Sequence, residues 1–548
     1  MRRVLFALAA LAIIAIGLAL RPGALDLAAR STPYDTALAQ AQSPADRGIA
    51  AFAFGDWGAL GTHTLEVSAV PWRLSTAALA LAEADGDPAR VTDIDLEASF
   101  RRFGIHSPDE IANWPAHMDQ PSRDAPLGLI RGTASGTWPP VEVTIGNSVC
   151  AACHSSVTYD ARGRPDPTRV WLGMGNSSIN LDSYTQALFA AFRDHDDATL
   201  MQAARALHPD MSARETLTLR YAILPRLRAL VDERAATIDS FLPFRISTVG
   251  ATNGLDSLRN RLDLIPEGEV VTESTFNSLP DLGDRLLRNR LLTSGSYVYP
   301  DADTPLTPAD IDDDQRDRLA QMIAYFTVPA MGVSEAVAKD HRPMARDVVA
   351  WLETYEPQPF PGVIDPRRAT AGRALYSAHC AACHGTYDDS LDTPRLVSFP
   401  NWHGPYGTDQ ARIEVITPQV VEAINASLDS PVRAAGVTGY SAPPLSGLWA
   451  SAPYLHNGSV PTLWHLMHPD QRPTRFQTGG HALDFDRVGI AGTLDGDTWR
   501  YPAGHTPWSE PIIVDTRDFG MGNQGHAAEF APLSEADKAA LLEYLKLL

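Results

Sequence analysis

Two short stretches of the chain hold all four of its cysteines and share one sequence, Cys-Ala-Ala-Cys-His. The first motif contains Cys150, Cys153 and His154, and the second motif contains Cys380, Cys383 and His384. Two cysteines separated by two residues lie on one edge of a helical turn, so both thiols can reach the vinyl groups of one porphyrin. The next residue brings an imidazole under the iron. The spacing predicts two covalently attached haem c groups, with His154 and His384 as proximal iron ligands.

Three other kinds of site use paired cysteines: a structural zinc site, a thioredoxin-like redox pair and a set of disulfides. The two halves of a zinc site usually lie about 15 to 20 residues apart, whereas a large part of the chain separates Cys153 from Cys380. None of the three places a demand on the residue after the second cysteine. Histidine follows it twice, so covalent haem is favoured over these alternatives.

The N-terminus has the pattern of an export signal. Arg2 and Arg3 precede an uninterrupted apolar run at residues 4–20, as in the charged and hydrophobic regions of a signal peptide. An Ala-Leu-Ala sequence at 37–39 fits a cleavage site. An uncleaved inner-membrane anchor is the alternative, because the run is near the lower limit of about 17 residues for a membrane span. We predict a signal peptide or anchor at 1–39 and a periplasmic or secreted location for the rest.

The charge of the chain argues against some partners. Its 45 basic and 66 acidic residues give a net charge of −21 at pH 7, which disfavours nucleic acid and anionic membrane surfaces. A basic electron-transfer partner would suit this charge, with a well-solvated secreted surface as the alternative reading. The expected partner is a small electron-donor protein or a small oxidant substrate.

Helical patterns and a proline-rich connection predict the domain organisation. Residues 40–140 carry no chemical motif and include Trp-Pro pairs, so we predict a loop-rich N-terminal extension. Apolar residues recur at helical spacing on both sides of the second motif. Alternating prolines at 356–362 favour an extended linker. The prediction is a mainly α fold with two cytochrome c-like haem domains, at 141–356 and 363–548, with extra helices in the first.

The second domain has the layout of a small c-type cytochrome. Gly372 and Tyr376 lie one turn apart on a helix before the second motif, which suits close packing of a first helix against a last one. Ser534 and Asp537 resemble a capping box at the start of a leucine-rich terminal helix.

The second iron is expected to have a sixth ligand, which is usually His or Met. His526 follows a glycine-rich segment at 519–525 whose backbone can pass close to a porphyrin edge, and it is the first candidate. Met521 in the same segment is the second, and Met467 and His468 follow. A surface histidine is the alternative reading of His526.

The sequence Ala-Pro-Tyr-Leu-His-Asn-Gly-Ser at 452–459, together with two haem motifs, resembles the bacterial di-haem cytochrome c peroxidase superfamily. That superfamily includes the methylamine-utilisation di-haem enzyme and the rubber oxygenases. The resemblance covers 141–548 and is strongest after 370. It implies an open or displaceable sixth position on the His154 haem, where peroxide or dioxygen reacts. It also implies a six-coordinate haem on His384 that passes or stores electrons.

Further residues take expected roles from this resemblance. His526 looks most like the late histidine ligand of the rubber oxygenases, whereas Met521 would match the His/Met pair of the peroxidases. Phe276 would border the distal pocket of the first haem, with an ordinary core aromatic as the alternative. Trp171 is the nearest candidate for the superfamily's inter-haem tryptophan, although its position departs from that pattern. His456 is expected to fix a turn rather than bind iron.

Two functions of different class follow. The favoured one is a di-haem peroxidase- or oxygenase-like oxidoreductase with unequal irons. The alternative is a non-catalytic di-haem electron-transfer cytochrome with both irons saturated. The sequence assigns no catalytic residue beyond the expected iron ligands.

Overall fold

The computed structural model describes residues 26–28, 32–55, 70–121, 126–136, 140–299, 301–331, 335–427 and 430–548. The apolar run at 4–20 lies outside these residues, so the signal peptide or anchor stays a prediction. Within the described ranges, no helix is both long and apolar enough to cross a membrane.

The helices fall into three groups along the chain. Before the first motif lie α1 (Thr32–Gln40), α2 (Pro44–Phe54), α3 (Trp72–Glu83) and α4 (Asp93–Arg102). From the first motif to the linker lie α5 (Cys150–Cys153), α6 (Leu181–Asp194), α7 (Asp197–Leu207), α8 (Ala213–Thr218), α9 (Leu224–Thr237), α10 (Gly254–Arg261), α11 (Asp313–Met331), α12 (Glu335–Asp340) and α13 (Arg342–Leu352). After the linker lie α14 (Pro366–His379), α15 (Ala381–His384), α16 (Ala411–Glu414), α17 (Pro418–Ala426), α18 (Leu463–Met467), α19 (Ala527–Phe530) and α20 (Glu535–Leu545).

The strands are short and pair into eight small sheets within the described part of the chain. Those before the linker are β1 (Asp26–Ala28), β2 (Val70–Pro71), β3 (Glu110–Ile111), β4 (Leu129–Gly136), β5 (Val141–Ser148), β6 (Ser155–Tyr159), β7 (Pro165–Leu172), β8 (Ser247–Thr248), β9 (Ala251–Thr252), β10 (Asn277–Ser278), β11 (Arg290–Leu291) and β12 (Tyr297–Val298). Those after it are β13 (Thr386–Tyr387), β14 (Leu396–Ser398), β15 (His403–Gly404), β16 (Arg433–Ala434), β17 (Tyr440–Ser441), β18 (Arg475–Thr478), β19 (Leu483–Asp484), β20 (Gly489–Ile490), β21 (Thr493–Asp495), β22 (Thr498–Arg500) and β23 (Ile512–Asp515).

The prediction of a mainly α fold is wrong. Helices make up 40% of the structure and strands 16%, so the content is mixed. The longest paired strands, β4 and β5, run antiparallel over their whole length and alternate between buried and partly exposed residues along much of it. Such alternation fits a sheet with one face in the core. The helical expectation came from the pattern around the two motifs, whereas the segment before the terminal helix is rich in β-branched residues and forms the β21-β22-β18-β23 sheet.

The predicted loop-rich extension is also wrong where the structure describes it. Ser43 caps α2 with a capping box, and Pro44 occupies the first turn of that helix. Pro71 is the N-cap residue of α3, which is buried over most of its length. Proline is favourable at a helix start because the N–H that it lacks has no partner there. These prolines therefore mark helix beginnings rather than loops.

Helices α14 and α20 cross at close range, as the positions of Gly372 and Tyr376 predict. A Cβ at Gly372 would overlap the Ala540 carbonyl and lie 2.9 Å from the Cβ of Tyr544. The Tyr376 ring packs against the Tyr544 ring at 5.4 Å between centroids. The predicted capping box at Ser534 begins α20. These local predictions are confirmed.

One buried apolar cluster continues across the predicted domain boundary. Its members include Val157, Met174, Phe276, Tyr376, Phe399, Trp449 and Phe476. Trp171 is partly buried and packs against both this cluster and the cluster of the N-terminal helices. The 356–362 linker is thus bridged by a continuous core, and the domain limits stay a prediction.

Candidate haem sites

The first motif forms the single helical turn α5 at the end of β5. The His154 amide donates to the Cys150 carbonyl at 2.9 Å. Asn176, which is fully buried, fixes the turn: its backbone amide donates to the Cys153 carbonyl at 2.9 Å, and its Nδ2 donates to the Ala152 carbonyl at 3.0 Å. The position of the turn is therefore set by a segment that follows it in the chain.

The second motif has the same local form but a different support. Helix α14 ends at the motif, and the His384 amide donates to the Cys380 carbonyl at 2.9 Å. Gly385 then adopts a left-handed conformation, with φ 91°, and its carbonyl accepts the Tyr376 hydroxyl at 2.9 Å. Tyr376 thus joins the motif to the packed pair of helices α14 and α20.

Each motif histidine bonds to a prolyl carbonyl far away in sequence. Nδ1 of His154 lies 3.2 Å from the Pro280 oxygen, and Nδ1 of His384 lies 2.8 Å from the Pro443 oxygen. A carbonyl only accepts, so both rings carry their proton on Nδ1 and leave Nε2 as the metal-binding atom. Burial lowers the pKa of His154 to about 4 and also lowers the pKa of His384. Both imidazoles are therefore neutral at pH 7, which is the form that binds iron.

The cysteines do not have the chemistry of a redox pair. All four are free, and burial raises the pKa of Cys153 and of Cys380 to about 12. Thiols of thioredoxin-like pairs have lowered pKa values instead. In the described ranges, no group of three or more His, Cys, Asp or Glu residues could hold a metal ion by itself. The raised pKa values of Cys153 and Cys380 speak against the redox-pair alternative.

The two prolyl carbonyls begin loops of the same design, which we name the 280 loop (residues 280–287) and the 443 loop (residues 443–450). Four residues after each proline the backbone becomes left-handed, at Asp284 with φ 56° and at Gly447 with φ 75°. A single 3-10 turn follows in both, Arg285–Leu287 and Leu448–Ala450. The sequence does not predict this correspondence, because the two loops share little beyond the first proline and a leucine two residues later.

The 280 loop and the 443 loop touch each other. The Ser446 hydroxyl donates to the Asp284 carboxylate. A Cβ at Gly283 would lie 2.7 Å from the Ser446 Cβ, and a Cβ at Gly447 would lie 2.6 Å from Oδ2 of Asp281. Both glycines are required by this close approach. A short path of covalent and hydrogen bonds therefore connects the two motif histidines through the paired loops.

His526 lies against the ring of His384. The two ring centroids are 6.3 Å apart, and the ring planes differ by 28°. Imidazoles that bind one metal ion from opposite sides, through bonds of about 2.0 Å, place their centroids roughly 6 Å apart. Burial lowers the pKa of His526 to about 3, so this ring is neutral too. The space between the two rings therefore fits the iron of a haem held by the second motif.

Residues of the 452–459 sequence hold the glycine-rich segment that leads to His526. Asn457 is buried, and its Nδ2 donates to the carbonyls of Gly520 and Gly522, at 3.0 Å each. The Ser459 hydroxyl also donates to the Gly522 carbonyl at 3.0 Å. This role of Asn457 and Ser459 was not predicted, because the glycines indicated only that the segment passes close to a porphyrin edge.

Two charged residues hold the same segment from other sides. The Gly522 amide donates to the Asp409 carboxylate at 3.1 Å. Arg472 donates to the carbonyls of Asn523 and Gly525, the latter at 2.9 Å. His526 itself has a left-handed backbone, with φ 60°. The position of its ring is therefore determined by a network around the segment rather than by a regular helix or strand.

The other predicted ligands of the second haem lie elsewhere. His468 uses both ring nitrogens, Nδ1 with the Trp464 carbonyl at 2.6 Å and Nε2 with Glu535 at 2.9 Å. Met467 and Met521 are buried in the main apolar cluster. The ring of His526 lies 6.3 Å from that of His384 between centroids, whereas both nitrogens of the His468 ring already have partners. The ligand assignment itself stays a prediction.

The surroundings of His154 differ from those of His384. Among the residues that the structure describes, no ring contact of His154 with a second imidazole corresponds to that of His384 with His526. Phe276, expected to border this site, is buried in the main cluster with the Arg245 guanidinium 5.2 Å from its ring centroid. The two motifs thus have similar proximal supports and unequal opposite sides.

Trp171 and His456, two residues for which the resemblance suggested roles, form hydrogen bonds and ring contacts with other parts of the chain. Trp171 donates its Nε1–H to the Glu356 carbonyl at 3.0 Å, at the start of the linker. His456 stacks on Tyr440, with centroids 3.9 Å apart, and its carbonyl accepts the Ser278 amide at 2.8 Å. Burial lowers the pKa of His456 to about 3.

Comparisons with known proteins point to the same part of the chain. A family model described as RoxA-like, cytochrome c-like, matches residues 439–477. The uncharacterized protein y4iM of Sinorhizobium fredii is 30% identical over 208 residues, which cover 33% of this chain and 45% of that protein. The uncharacterized protein y4iJ of the same organism is 36% identical over 119 residues, covering 20% and 18%. The chain therefore spans less than half the length of these curated relatives.

The matched segment contains both the 443 loop and Asn457, so it coincides with the framework of the second site. The match supports the resemblance to the di-haem cytochrome superfamily, on the side of the rubber oxygenases. The chain is similar to haem-containing redox proteins and carries a cytochrome c-like segment of the kind that binds haem c covalently.

Proposed function

We propose that the chain is an exported di-haem c-type cytochrome that acts as an oxidoreductase, with one porphyrin linked to each motif. The observation that carries this proposal is the matched support of the two motif histidines. Each donates Nδ1–H to the first carbonyl of a loop of the same design. An imidazole oriented in this way presents Nε2 to a metal and gains basicity from its acceptor. A disulfide pair would place no such demand on the following histidine, and a histidine after the second cysteine of both motifs is the pattern of covalent haem attachment.

The proposal assigns different tasks to the two sites. Bound haem supplies an iron that exchanges single electrons and, where one axial position is open, reacts with peroxide or dioxygen. His384 and His526 face each other and would saturate the second site, which suits electron transfer and storage. His154 has no such partner in the described ranges, so the first site is the one proposed to admit a small oxidant. The chain's part in the reaction is to orient the imidazoles and to keep one position open.

The compartment and partners follow from the same proposal. Attachment of haem to Cys-x-x-Cys-His takes place outside the cytoplasm, in keeping with the charged and apolar pattern at residues 2–20. The protein would then work in the periplasm or outside the cell, either free or held at the inner membrane. A small electron-donor protein with a basic docking face would suit the net charge of −21.

Haem stoichiometry tests the proposal directly. The purified holoprotein, made with the c-type maturation machinery, should carry two haems by mass and by the pyridine haemochrome assay. Replacing both cysteines of the first motif by serine, or both cysteines of the second, should leave one covalent haem. A wild-type protein with no Soret band, or with the mass of the bare polypeptide, would contradict the proposal.

Electron paramagnetic resonance separates an enzyme from a carrier. We expect one high-spin and one low-spin ferric signal, with carbon monoxide binding at one haem after reduction. The Cys380→Ser/Cys383→Ser variant should retain the haem that gives the high-spin ferric signal and that binds carbon monoxide after reduction. Two low-spin signals, from haems that bind neither carbon monoxide nor cyanide even after one-electron reduction, would identify a non-catalytic carrier.

A further inference from the structure

Two arginines, Arg285 and Arg288, lie in and directly after the 280 loop, which contacts the 443 loop. Arg285 opens the 3-10 turn, and Arg288 follows its last residue. Arg285 donates Nε–H to the carbonyl of Asp281, the residue after Pro280, and it directly follows Asp284, which accepts the Ser446 hydroxyl of the 443 loop. This guanidinium therefore occupies a place near both candidate haem sites.

The charges of these arginines are poorly compensated by the chain. Burial, together with the smaller effect of the neighbouring Arg285 charge, lowers the pKa of Arg288 to about 9. Burial also lowers the pKa of Arg285, while the nearby carboxyls of Asp281 and Asp284 act in the opposite direction. Among the described residues, neither guanidinium forms an ion pair with a carboxylate. Buried cations of like sign are unfavourable unless an anion is placed beside them.

The nearby carboxyl groups are already committed to other partners. Asp281 accepts the Tyr355 hydroxyl at 3.0 Å and the Gly283 amide at 2.8 Å. Asp284 accepts the Ser446 hydroxyl. Arg285 itself donates Nε–H to the backbone carbonyl of Asp281 at 2.8 Å rather than to its carboxylate.

Most donors of the two guanidinium groups have no acceptor in the described part of the protein. Arg285 makes the single bond to Asp281, and Arg288 makes a single bond, from Nη2 to the Leu292 carbonyl at 3.0 Å. A guanidinium has several N–H donors in a planar fork that matches a carboxylate in size and geometry. The remaining donors are therefore suited to a carboxylate that is not part of the chain.

We propose that Arg285 and Arg288 form a carboxylate-binding clamp between the two motifs, and that it holds porphyrin propionates. This inference rests on the proposed function, in which a haem linked to each motif would bring its own propionates into the protein. Haems held by their cysteines would supply these carboxylates without an entry path. The clamp would neutralise Arg285 and Arg288 and join haem propionates to the loop that supports His154.

The test compares Arg285→Met and Arg288→Met with Arg290→Met in the holoprotein. Arg290 belongs to the same segment, but it is paired with Asp303 at 2.7 Å and serves as the control for loss of a charge. Resonance Raman bands of propionate bending should shift in the first two variants and stay in place in the control. The midpoint potentials should fall, because a buried cation favours the reduced haem, and Arg285→Met should affect both haems.

Three results would count against the clamp. Lower potentials with unchanged propionate bands would mean that the arginines act only through space, and would overturn the clamp. Wild-type potentials that depend on added acetate, with propionate bands insensitive to both substitutions, would assign the site to a free anion and also overturn it. If the methionine variants do not mature, Arg285→Lys and Arg288→Lys retain the charge but lose the fork, and unshifted propionate bands in them would refute the proposal. A wild type without haem would instead refute the proposed function.

Discussion

Replacing Asn457 by alanine is expected to release the segment that presents His526. Nδ2 of Asn457 donates to two carbonyls, those of Gly520 and Gly522, at 3.0 Å each, and the residue is 1% exposed. Alanine removes both donors, and each lost hydrogen bond costs about 1 kcal/mol, or somewhat more where a buried carbonyl is left unpaired. A loss of about 2 to 3 kcal/mol raises the equilibrium constant between the released and the bound form of the glycine-rich segment by a factor of roughly 30 to 150.

The effect can be read at the second haem by low-temperature electron paramagnetic resonance and optical spectra. Part of its low-spin signal should become high-spin or water-ligated in Asn457→Ala, as the whole signal should in His526→Ala, while the first haem is unchanged. Asn425→Ala is the matched control, because it also removes two hydrogen bonds to one backbone segment, at 2.9 Å each to Ala434. It should lower the unfolding free energy without changing either haem. A fully low-spin second haem in Asn457→Ala, with stability reduced as in the control, would refute a positioning role for Asn457.

Three further outcomes follow from the structure. Gly372→Ala should lower the unfolding free energy by about 1 to 3 kcal/mol, measured by urea unfolding, because the new Cβ would overlap helix α20; an unchanged midpoint would contradict the close crossing. Ser446→Ala removes the hydrogen bond to Asp284 and should slow electron transfer between the two haems. The rate can be measured after photolysis of carbon monoxide from half-reduced protein, and an unaltered rate would count against the loop contact as an electron-transfer path. Burial lowers the pKa of His208 from 6.5 to about 4. The unfolded chain therefore binds a proton that the folded protein does not, and the unfolding free energy should fall as pH drops from 6.5 to 4. His208→Gln should reduce this fall in urea unfolding, and a variant that keeps the wild-type pH dependence would be the contrary result.

The sequence predicts those parts of the site whose geometry depends on residues close together in the chain. The spacing of the cysteines and histidine is sufficient to place each motif on one helical turn, because a turn is determined within five residues. Gly372 and Tyr376 likewise predicted a close helix crossing, since a missing Cβ matters only where backbones approach. His526 was selected because glycines precede it, and the structure brings its ring to 6.3 Å from that of His384.

The supports of the site could not be predicted in the same way. Pro280 and Pro443 contribute backbone carbonyls, and a carbonyl leaves no mark on the choice of side chain. The 280 loop and the 443 loop share a backbone path while differing at most positions, as Asp284 and Gly447 show by adopting the same left-handed conformation. The fold-class prediction failed for a related reason: short strands such as β12 and β16 pair across more than a hundred residues of sequence and have no periodic pattern of their own.

The difference between the two sites has its origin outside both motifs. The motifs are identical in sequence, and their histidines have the same kind of acceptor on Nδ1, so the near side of each site is alike. The far side of the second site depends on His526, which Asn457, Asp409 and other residues hold through the glycine-rich segment. If the proposed function holds, coordination, and with it the division between reaction and storage, would be a property of that segment. A change there should convert the second site toward the first, whereas a change within a motif should abolish a site altogether.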